Sequence, residues 1–421
     1  MTEAKRPRQS NFEVLRILAI VMILFHHFVI CTSFPFTPDY ETNLVIYRFM
    51  EAYGKIGVGI FVLITGYFCV DRRLTIRKVL TILVEVWFYS IVISLVLLYY
   101  NKIEIDPDTL ALILFPVTYD HWWYVTFYLA LMLVSPVINY ALNRMDQKQH
   151  LVVVAIIFFA VMVLPSISGR HDFGNNLFLF IGYYVLGAYF RLHPDRFSSD
   201  WRPNAIIAAA VSLFMLVMTK VIINEFIELG PTSPIEYEML TLFGVSIVLL
   251  LASLLIFRNI YVTMILGILL SFVSILVQYK SVGFFATDLL YEVACPTVII
   301  SAVTIFLVFK NINIRSNRVI NWIASSTFGI YLIHTHFGLY YRFWIKENVD
   351  YTEKLAMTTP DFLIYAFTSV FTVFAICLII DKIRVYLIFK PLSPISRRIS
   401  DKIERFVDER CPHIKSYLEL K

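Results

Sequence analysis

Residues 12–31, FEVLRILAIVMILFHHFVIC, decide the fold class of this chain. About 20 consecutive, mostly apolar residues are what an α-helix needs to cross the roughly 30 Å hydrocarbon core of a bilayer. The polar and basic segment MTEAKRPRQ precedes the stretch, and no small-residue cleavage site follows it. We therefore predict an uncleaved first transmembrane helix and not a signal peptide.

The composition extends this prediction to the whole chain. Of the 421 residues, 59% are hydrophobic and 16% are charged, against roughly 25% charged in an ordinary soluble domain. The mean hydropathy is +0.73. These values exclude a soluble domain, a disordered chain and a repeat solenoid. Further apolar runs predict an all-α, polytopic bundle of about 10–12 transmembrane helices, and they lie at residues 55–70, 79–100, 122–142, 151–168, 177–190, 205–223, 239–257, 260–278, 295–309, 321–341 and 361–381.

The basic residues indicate how the bundle is oriented. Most of the 36 Lys and Arg residues fall in the N-terminal segment, in alternate loops and after residue 381. Because positively charged loops stay in the cytoplasm, we predict that both termini are cytoplasmic. The same sorting explains the net charge of +5 without a nucleic-acid partner. We predict a membrane domain at 1–381 and a basic cytoplasmic tail at 382–421, which is either a helix on anionic lipid or a solvated terminus.

Ionisable residues inside the first helix are candidates for function, because an unpaired one costs several kcal/mol in a bilayer. Glu13 and Arg16 are three residues apart and share a face. His27 follows Arg16 by about three turns, or about 16 Å, on the same face, whereas His26 points about 100° away. The late segment SSTFGIYLIHTH places His334 mid-helix, where it can meet the first helix. The alternatives are a snorkelling Arg16 and histidines that only pack helices.

Two further clusters lie at the ends of predicted helices. The loop VDRRLTIRK follows the second helix and contains four cations, Arg72, Arg73, Arg77 and Lys78. These cations either hold phosphate groups or only obey the positive-inside rule. The segment HWWY, at 121–124, either forms an interfacial aromatic belt or stacks on a sugar ring. Five cysteines are scattered without a CxxC pair, so we expect neither a disulfide framework nor a zinc site.

In this order, the motifs resemble those of the acyltransferase-3 family, polytopic bacterial membrane enzymes that acylate cell-surface glycans. RQSNFEVLRILAIVMILFHH is similar to the first-helix signature of the family, an Arg followed eleven residues later by a His. GIFVLITGYF resembles a second-helix segment ending in Ser-Gly-Tyr, with Thr65 in place of Ser, and FGIYLIH resembles the Tyr-Leu-Ile-His motif. HWWYVTFYLALMLVSPV and FIGYYVLGAYF resemble segments between them. The family usually has ten helices, so we assign the additional two to a hairpin within 205–280.

The resemblance implies transfer of an acyl group, commonly acetyl from acetyl-CoA, to a hydroxyl of an extracytoplasmic glycan at the bacterial plasma membrane. It implies that His27 is a general base or a transient acyl carrier, with His334 orienting it or donating to the oxyanion. Arg16, toward the cytoplasmic end of the same helix, is the third residue expected in the catalytic group. The residues expected to bind the donor are Arg16, Arg72, Arg73 and Arg77, and those expected to bind the acceptor are Trp122, Trp123 and Tyr331. No metal is expected. The expected partners are the lipid bilayer, a glycan or glycolipid acceptor and polysaccharide-biosynthesis machinery.

Other functions compete with this interpretation. A secondary transporter, or a flippase for lipid-linked oligosaccharides, would have a similar number of helices, and such proteins are expected to show broken helices and paired halves. The short runs at 177–190 and 295–309 are the only hints of broken helices in the sequence. A membrane haem protein with His27, His334 and His336 as axial ligands rests on the number of histidines alone. The glycan acceptor, and the choice between acetyl, succinyl and another short acyl group, stay open.

Overall fold

A computed structural model of the protein describes residues 9–32, 40–163, 176–195, 198–229, 295–340, 342–344 and 351–420. Within these ranges the chain is helical and contains no strand. The helices are α1 Ser10–Thr32, α2 Glu41–Cys69, α3 Ile76–Tyr99, α4 Pro107–Leu114, α5 Trp123–Leu142, α6 Gln147–Phe158, α7 Asn176–Leu192, α8 Trp201–Leu229, α9 Pro296–Asn311, α10 Arg318–Ala324, α11 Thr327–His334, α12 Tyr351–Leu355, α13 Thr359–Ile383, α14 Lys390–Arg410 and α15 Pro412–Leu418. Short π-helical turns extend α6 over Phe159–Val163 and join α13 to α14 over Arg384–Phe389.

The described helices confirm the all-α, polytopic membrane fold. Six of them are long and apolar enough to cross a bilayer, and these lie in α1, α2, α3, α5, α8 and α13. Three shorter apolar helices accompany them, in α6, α7 and α9. The predicted runs at 239–257 and 260–278, and most of the predicted hairpin within 205–280, lie outside the described residues. The sidedness of the termini and the division at residue 381 stay predictions.

Helix α1 lies at the centre of the bundle, and hydrogen bonds join its first turn to helices later in the chain. Asn11 Nδ2 donates to the Phe309 carbonyl at the end of α9, at 2.9 Å. Ser10 Oγ donates to Asn321 Oδ1 of α10 at 3.1 Å, and it accepts from the Asn317 backbone N–H at 2.9 Å. We call this side of the bundle the basal face; it comprises the start of α1, the 70–75 loop and the end of α7. The opposite side, with the end of α1 and the start of α2, is the distal face.

Helices α2 and α7 approach so closely that their backbones touch at two glycines. A Cβ on Gly66 would collide with the Tyr184 carbonyl oxygen, and a Cβ on Gly187 would collide with the Leu63 carbonyl oxygen. Small residues let membrane helices approach closely and gain van der Waals contacts. These contacts matter because lipid is as apolar as the helices, so the hydrophobic effect contributes little to helix association. The contact places the apolar residues of α2 along one wall of the cavity described below.

The prediction of one spanning helix over 321–341 is wrong, because this segment breaks and then turns. Helix α10 ends at Ala324, the residues Ser325–Ser326 form a turn, and α11 runs only from Thr327 to His334. His334 therefore ends a short helix and does not lie in the middle of a long one. The serine hydroxyls bond outside the helix ladder: Ser325 Oγ accepts from Lys382 Nζ at 2.8 Å, and Ser326 Oγ donates to Asp381 Oδ2.

The segment after α13 forms two helices that contact the basal arginines and the side of α5. Arg77 forms an ion pair with Asp401 of α14, and Arg73 lies 3.5 Å from Glu419 just after α15. The Tyr417 hydroxyl donates to the Leu133 carbonyl of α5 at 2.5 Å. The tail is thus helical, and it contacts the arginine-bearing loop as well as α5.

We expect Gly187→Ala to lower the stability of the folded protein by about 1–3 kcal/mol, because the added methyl group would push α7 away from the α2 backbone. The measurement is the melting temperature of the detergent-purified protein. The matched control is Gly182→Ala on the same helix, where the new Cβ meets the Ile157 side chain at 3.1 Å and that side chain can move. Equal melting temperatures for the two variants would contradict the close approach.

Candidate active site

A cavity of about 1420 Å³ opens at the basal face and extends into the bundle between α1, α2, α3, α5 and α11. Its mouth is cationic, with Arg16, Arg72, Arg73, Lys78 and Arg191 among the residues that line it. Its deeper wall is largely apolar and aromatic, formed by residues that include Ile20, Ile23, Val58, Phe61, Tyr124, Phe328 and Tyr331. This distribution suits an elongated ligand with an anionic end and a less polar remainder.

Arg16 lines the cavity nearly two helical turns inside the start of α1, and it is paired as the sequence predicts. Its Nη1 lies 2.6 Å from Glu13 Oε1. The Glu13 side chain is 6% exposed, whereas 30% of the Arg16 side chain is accessible. Glu13 therefore holds one edge of the guanidinium while the group still borders the cavity.

Beyond the inner end of the cavity, two imidazoles from opposite ends of the chain meet. His27 Nδ1 lies 2.8 Å from His334 Nε2. The lining residues Ile23 and Tyr331 stand one turn before them on α1 and α11. His27 is about 25 Å from the start of α1 and about 8 Å from its end, at 1.5 Å per residue. The pair is therefore nearer to the distal face than to the mouth of the cavity.

The hydrogen bonds around this pair assign its tautomers. His334 Nδ1 lies 2.6 Å from the Ile330 carbonyl, which can only accept, so Nδ1 carries the proton. In a neutral His334, Nε2 is then an acceptor, and His27 Nδ1 must donate to it. The lone pair of His27 consequently lies on Nε2. This nitrogen can take a proton or attack a carbonyl carbon.

His26 is turned away from this pair. Its Nδ1 lies 2.8 Å from the Glu51 carbonyl of α2, and its ring packs where a side chain on Gly54 would otherwise sit. The sequence predicts that only one of the two adjacent histidines can face the other cluster. The structure identifies that residue as His27.

The structure brings together some of the predicted donor-binding residues but not all. Arg16, Arg72 and Arg73 line the cavity, whereas Arg77 is not among the described lining residues and instead pairs with Asp401. Two cations that the sequence analysis did not assign to the donor also line the mouth, Lys78 and Arg191, and the Arg191 Nε is 2.7 Å from Asp71 Oδ2. The proximity of Arg191 to the 70–75 loop could not be inferred from local sequence, because the two are 120 residues apart.

The predicted aromatic residues also separate. Tyr331 lines the cavity, together with Tyr124. Trp122 is buried and stacks on His121, with ring centroids 3.7 Å apart, while Trp123 packs against Phe180. Neither tryptophan is among the described residues that line the cavity.

Sequence reasoning missed a buried polar network beside α11. Arg384 Nη2 lies 2.7 Å from Asp381 Oδ1 and 2.8 Å from Glu85 Oε1, and Tyr89 donates to the same Asp381 oxygen at 2.6 Å. The lone acid Glu85 in an apolar run is the available signal, but its partner Arg384 lies 299 residues later and cannot be inferred from local sequence. Lys55, inside α2, was missed as well; it lies within electrostatic range of His26 and His27.

Comparison with known proteins yields one match. Residues 9–381 match the model of the acyltransferase-3 family, which is described as an acyltransferase domain. No curated protein and no solved structure matches the chain. The family match covers more than half of the chain, including both histidines of the pair and every residue that lines the cavity.

We expect Glu13 and Arg16 to be coupled in stability by about 1–2 kcal/mol, because removing Arg16 leaves a buried carboxylate without its partner. The measurement is a double-mutant cycle of Arg16→Met and Glu13→Gln, followed through the melting temperature of the purified protein. The double variant should be more stable than the sum of the two single losses predicts. Strictly additive losses of stability would show that the two side chains do not interact.

Proposed function

The chain belongs to the acyltransferase-3 family and is a membrane acyltransferase, and we propose that it transfers an acetyl group from cytoplasmic acetyl-CoA to a hydroxyl of a glycan on the other side of the membrane. The observation that supports this most directly is the cavity, which has a cationic mouth at one face and ends one turn short of the His27–His334 pair. A bacterial plasma membrane, with the basal face in the cytoplasm, is part of the proposal.

The mouth suits the nucleotide end of coenzyme A. That molecule carries several phosphate groups and cannot cross lipid, so it needs a basic dock at the face from which it arrives. Arg72, Arg73 and Lys78 provide such a dock at the end of α2 and the start of α3. Guanidinium groups bind phosphate through paired, charge-assisted hydrogen bonds. The pantetheine arm would then extend past Arg16 along the apolar wall toward His27.

His27 Nε2 is the atom that we assign to the chemistry. As a general base it takes the proton of the acceptor hydroxyl while that oxygen bonds to the thioester carbon. The carbon–sulfur bond then breaks, and the imidazolium returns the proton to the departing thiolate. As an acyl carrier, the same nitrogen would first bond to the carbonyl carbon and release the thiolate. The acceptor hydroxyl would then bond to that carbon, the bond to His27 would break, and the hydroxyl proton would pass to the thiolate. In both routes His334 holds the ring through Nδ1 and stabilises the charge that develops on it.

The depth of the pair supports transfer across the membrane. His27 lies about three-quarters of the way along α1, near the distal face, while the cationic mouth is basal. A donor bound from the basal face can therefore present its acyl group to an acceptor that enters from the distal face. Only the acyl group has to change sides.

The break between α10 and α11 favours a second candidate, a transporter or flippase, because broken helices often form transport sites. Here, however, the protein's own Asp381 and Lys382 bond to the residues of the break. The cavity also leads to an imidazole pair that transport would not require. We therefore rank acyl transfer first.

We expect His27→Gln to lower acyl transfer by about 10²-fold or more, because the glutamine amide supplies no basic nitrogen. The assay compares base-labile acyl groups on envelope polysaccharide by proton NMR and mass spectrometry, together with the amount of polysaccharide exported. The matched control is His26→Gln, which can still donate to the Glu51 carbonyl and should keep near-normal activity. Lost export with acylation intact on the remaining polymer would support the transporter instead.

We expect Arg73→Gln to raise the KM for acetyl-CoA about tenfold with little change in kcat, because one charge-assisted phosphate contact is worth about 1.5–3 kcal/mol. Arg77→Gln is the control, since Arg77 pairs with Asp401 outside the described cavity lining. Its KM should change less than about twofold. Initial rates of the purified enzyme at varied donor concentration test both variants, and equal effects would contradict this placement of the donor.

A further inference from the structure

The turn between α10 and α11 presents two helix ends inside the bundle. A helix leaves its last carbonyls and its first N–H groups without intrahelical partners, and in a membrane these groups must be satisfied by the protein itself. The carbonyl end of α10 has a partial negative charge, and the N–H end of α11 has a partial positive charge. Two adjacent residues of α13 meet these two ends.

Lys382 contacts the end of α10. Its Nζ donates to the Trp322 carbonyl at 2.5 Å and to Ser325 Oγ at 2.8 Å. The same ammonium lies 4.5 Å from the Trp322 ring centroid. A buried cation at the carbonyl end of a helix is favourable both as a hydrogen-bond donor and as a countercharge.

Asp381 contacts the start of α11. Its side chain is 0% exposed and accepts from Ser326 Oγ, the residue that precedes the helix. Its Oδ1 lies directly against Gly329 in the first turn, where any Cβ would collide with it. The carboxylate is therefore held at the positive end of α11 by a close fit.

Arg384 and α3 anchor this carboxylate in turn. Arg384 donates to Asp381 Oδ1 through Nε at 3.0 Å and through Nη2 at 2.7 Å, and it also reaches Glu85. Tyr89 donates to the same oxygen. Charges buried in a bilayer cost several kcal/mol unless they are paired. We therefore expect a buried network of this size where it holds helices in a specific arrangement.

The other end of α11 carries His334, about 12 Å along the helix axis from Ser326. Rotating so short a helix by one residue would turn His334 by about 100° and separate it from His27. We propose that Asp381 is a positioning residue, which fixes the rotation and depth of α11 and thereby sets the His27–His334 hydrogen bond. The consequence for acyl transfer rests on the proposed function, whereas the placement of α11 does not.

The kinetic test compares Asp381→Asn with the wild-type protein. The donor mouth is formed by other residues, so kcat should fall about 100-fold while the KM for acetyl-CoA stays within about twofold. The matched control is Asp361→Asn, which removes a carboxylate from the exposed first turn of the same helix and should leave kcat unchanged. An unchanged kcat in Asp381→Asn, or a rise in KM that accounts for the whole loss, would overturn the proposal.

A rescue variant separates positioning from general loss of structure. Asp381→Ser combined with Ser326→Asp returns a carboxylate to the start of α11 from the neighbouring segment, within reach of Arg384. It should recover at least tenfold in kcat over Asp381→Asn. Failure to recover, in a protein that melts like the wild type, would count against the proposal. If Asp381→Asn does not fold, Ser326→Ala removes a single hydrogen bond and should lower kcat about tenfold; an unchanged kcat there would overturn it.

A second measurement does not depend on activity. Cysteines replace His27 and His334 in a protein whose native cysteines are changed to alanine, and a short thiol-reactive cross-linker measures how fast the two positions join. Adding Asp381→Asn should slow the joining about tenfold, and the rescue pair should restore it. If the cross-linking rates change in this way but the wild-type protein does not acylate glycan, the proposed function is refuted and the positioning role of Asp381 is retained. An unchanged rate would overturn the positioning role.

Discussion

The hydrogen bond between His27 and His334 joins the first helix to a segment 307 residues later, and the arrangement of the bundle follows from making that bond inside a membrane. His334 is buried and His27 is half-buried in the bundle, so each ring nitrogen that is not used for chemistry needs a protein partner. The Ile330 carbonyl satisfies one, and the two rings satisfy each other. This leaves His27 Nε2 as the single nitrogen whose lone pair is available.

His334 ends an eight-residue helix, α11, whose start lies against the last turn of α13. Broken helices in transporters often leave their free ends to bind an ion or a substrate. In this protein Asp381 and Lys382 contact the two ends of the break. The break resembles that of a transporter, but side chains of the protein take the positions that an ion or a substrate would take there. A broken membrane helix is therefore weak evidence for transport until the partners of its free ends are known.

The fold class and the centre of the site could be predicted because they depend on local sequence. The length of apolar runs predicts membrane helices, and helical periodicity places Arg16 and His27 on one face. The same periodicity favours His27 over His26, but it does not reveal what holds His26 away, because Gly54 and the Glu51 carbonyl belong to another helix.

Other features escaped prediction for the same reason. An apolar segment that contains Ser-Ser-Thr is compatible with a continuous helix, and its break is stabilised by α13 residues at least 55 positions away. The loop arginines look equivalent in sequence, and both pair with acids of the tail, yet Arg73 is among the described residues that line the cavity and Arg77 is not. Trp122 is buried against His121 and Trp123 packs on Phe180, positions that the aromatic motif alone does not specify.

The ion pairs between the tail and the basal loop affect how the mouth of the cavity would behave during turnover. Glu419 lies beside Arg73, so this arginine has a counter-ion before any phosphate arrives. Under the proposed function, donor binding is then an exchange of one anion for another. Exposed ion pairs contribute only about 0–1 kcal/mol, so displacing Glu419 takes little from the free energy of donor binding. The spent carrier, which keeps all its phosphates after losing the acyl group, could be released as the tail carboxylate returns to the guanidinium.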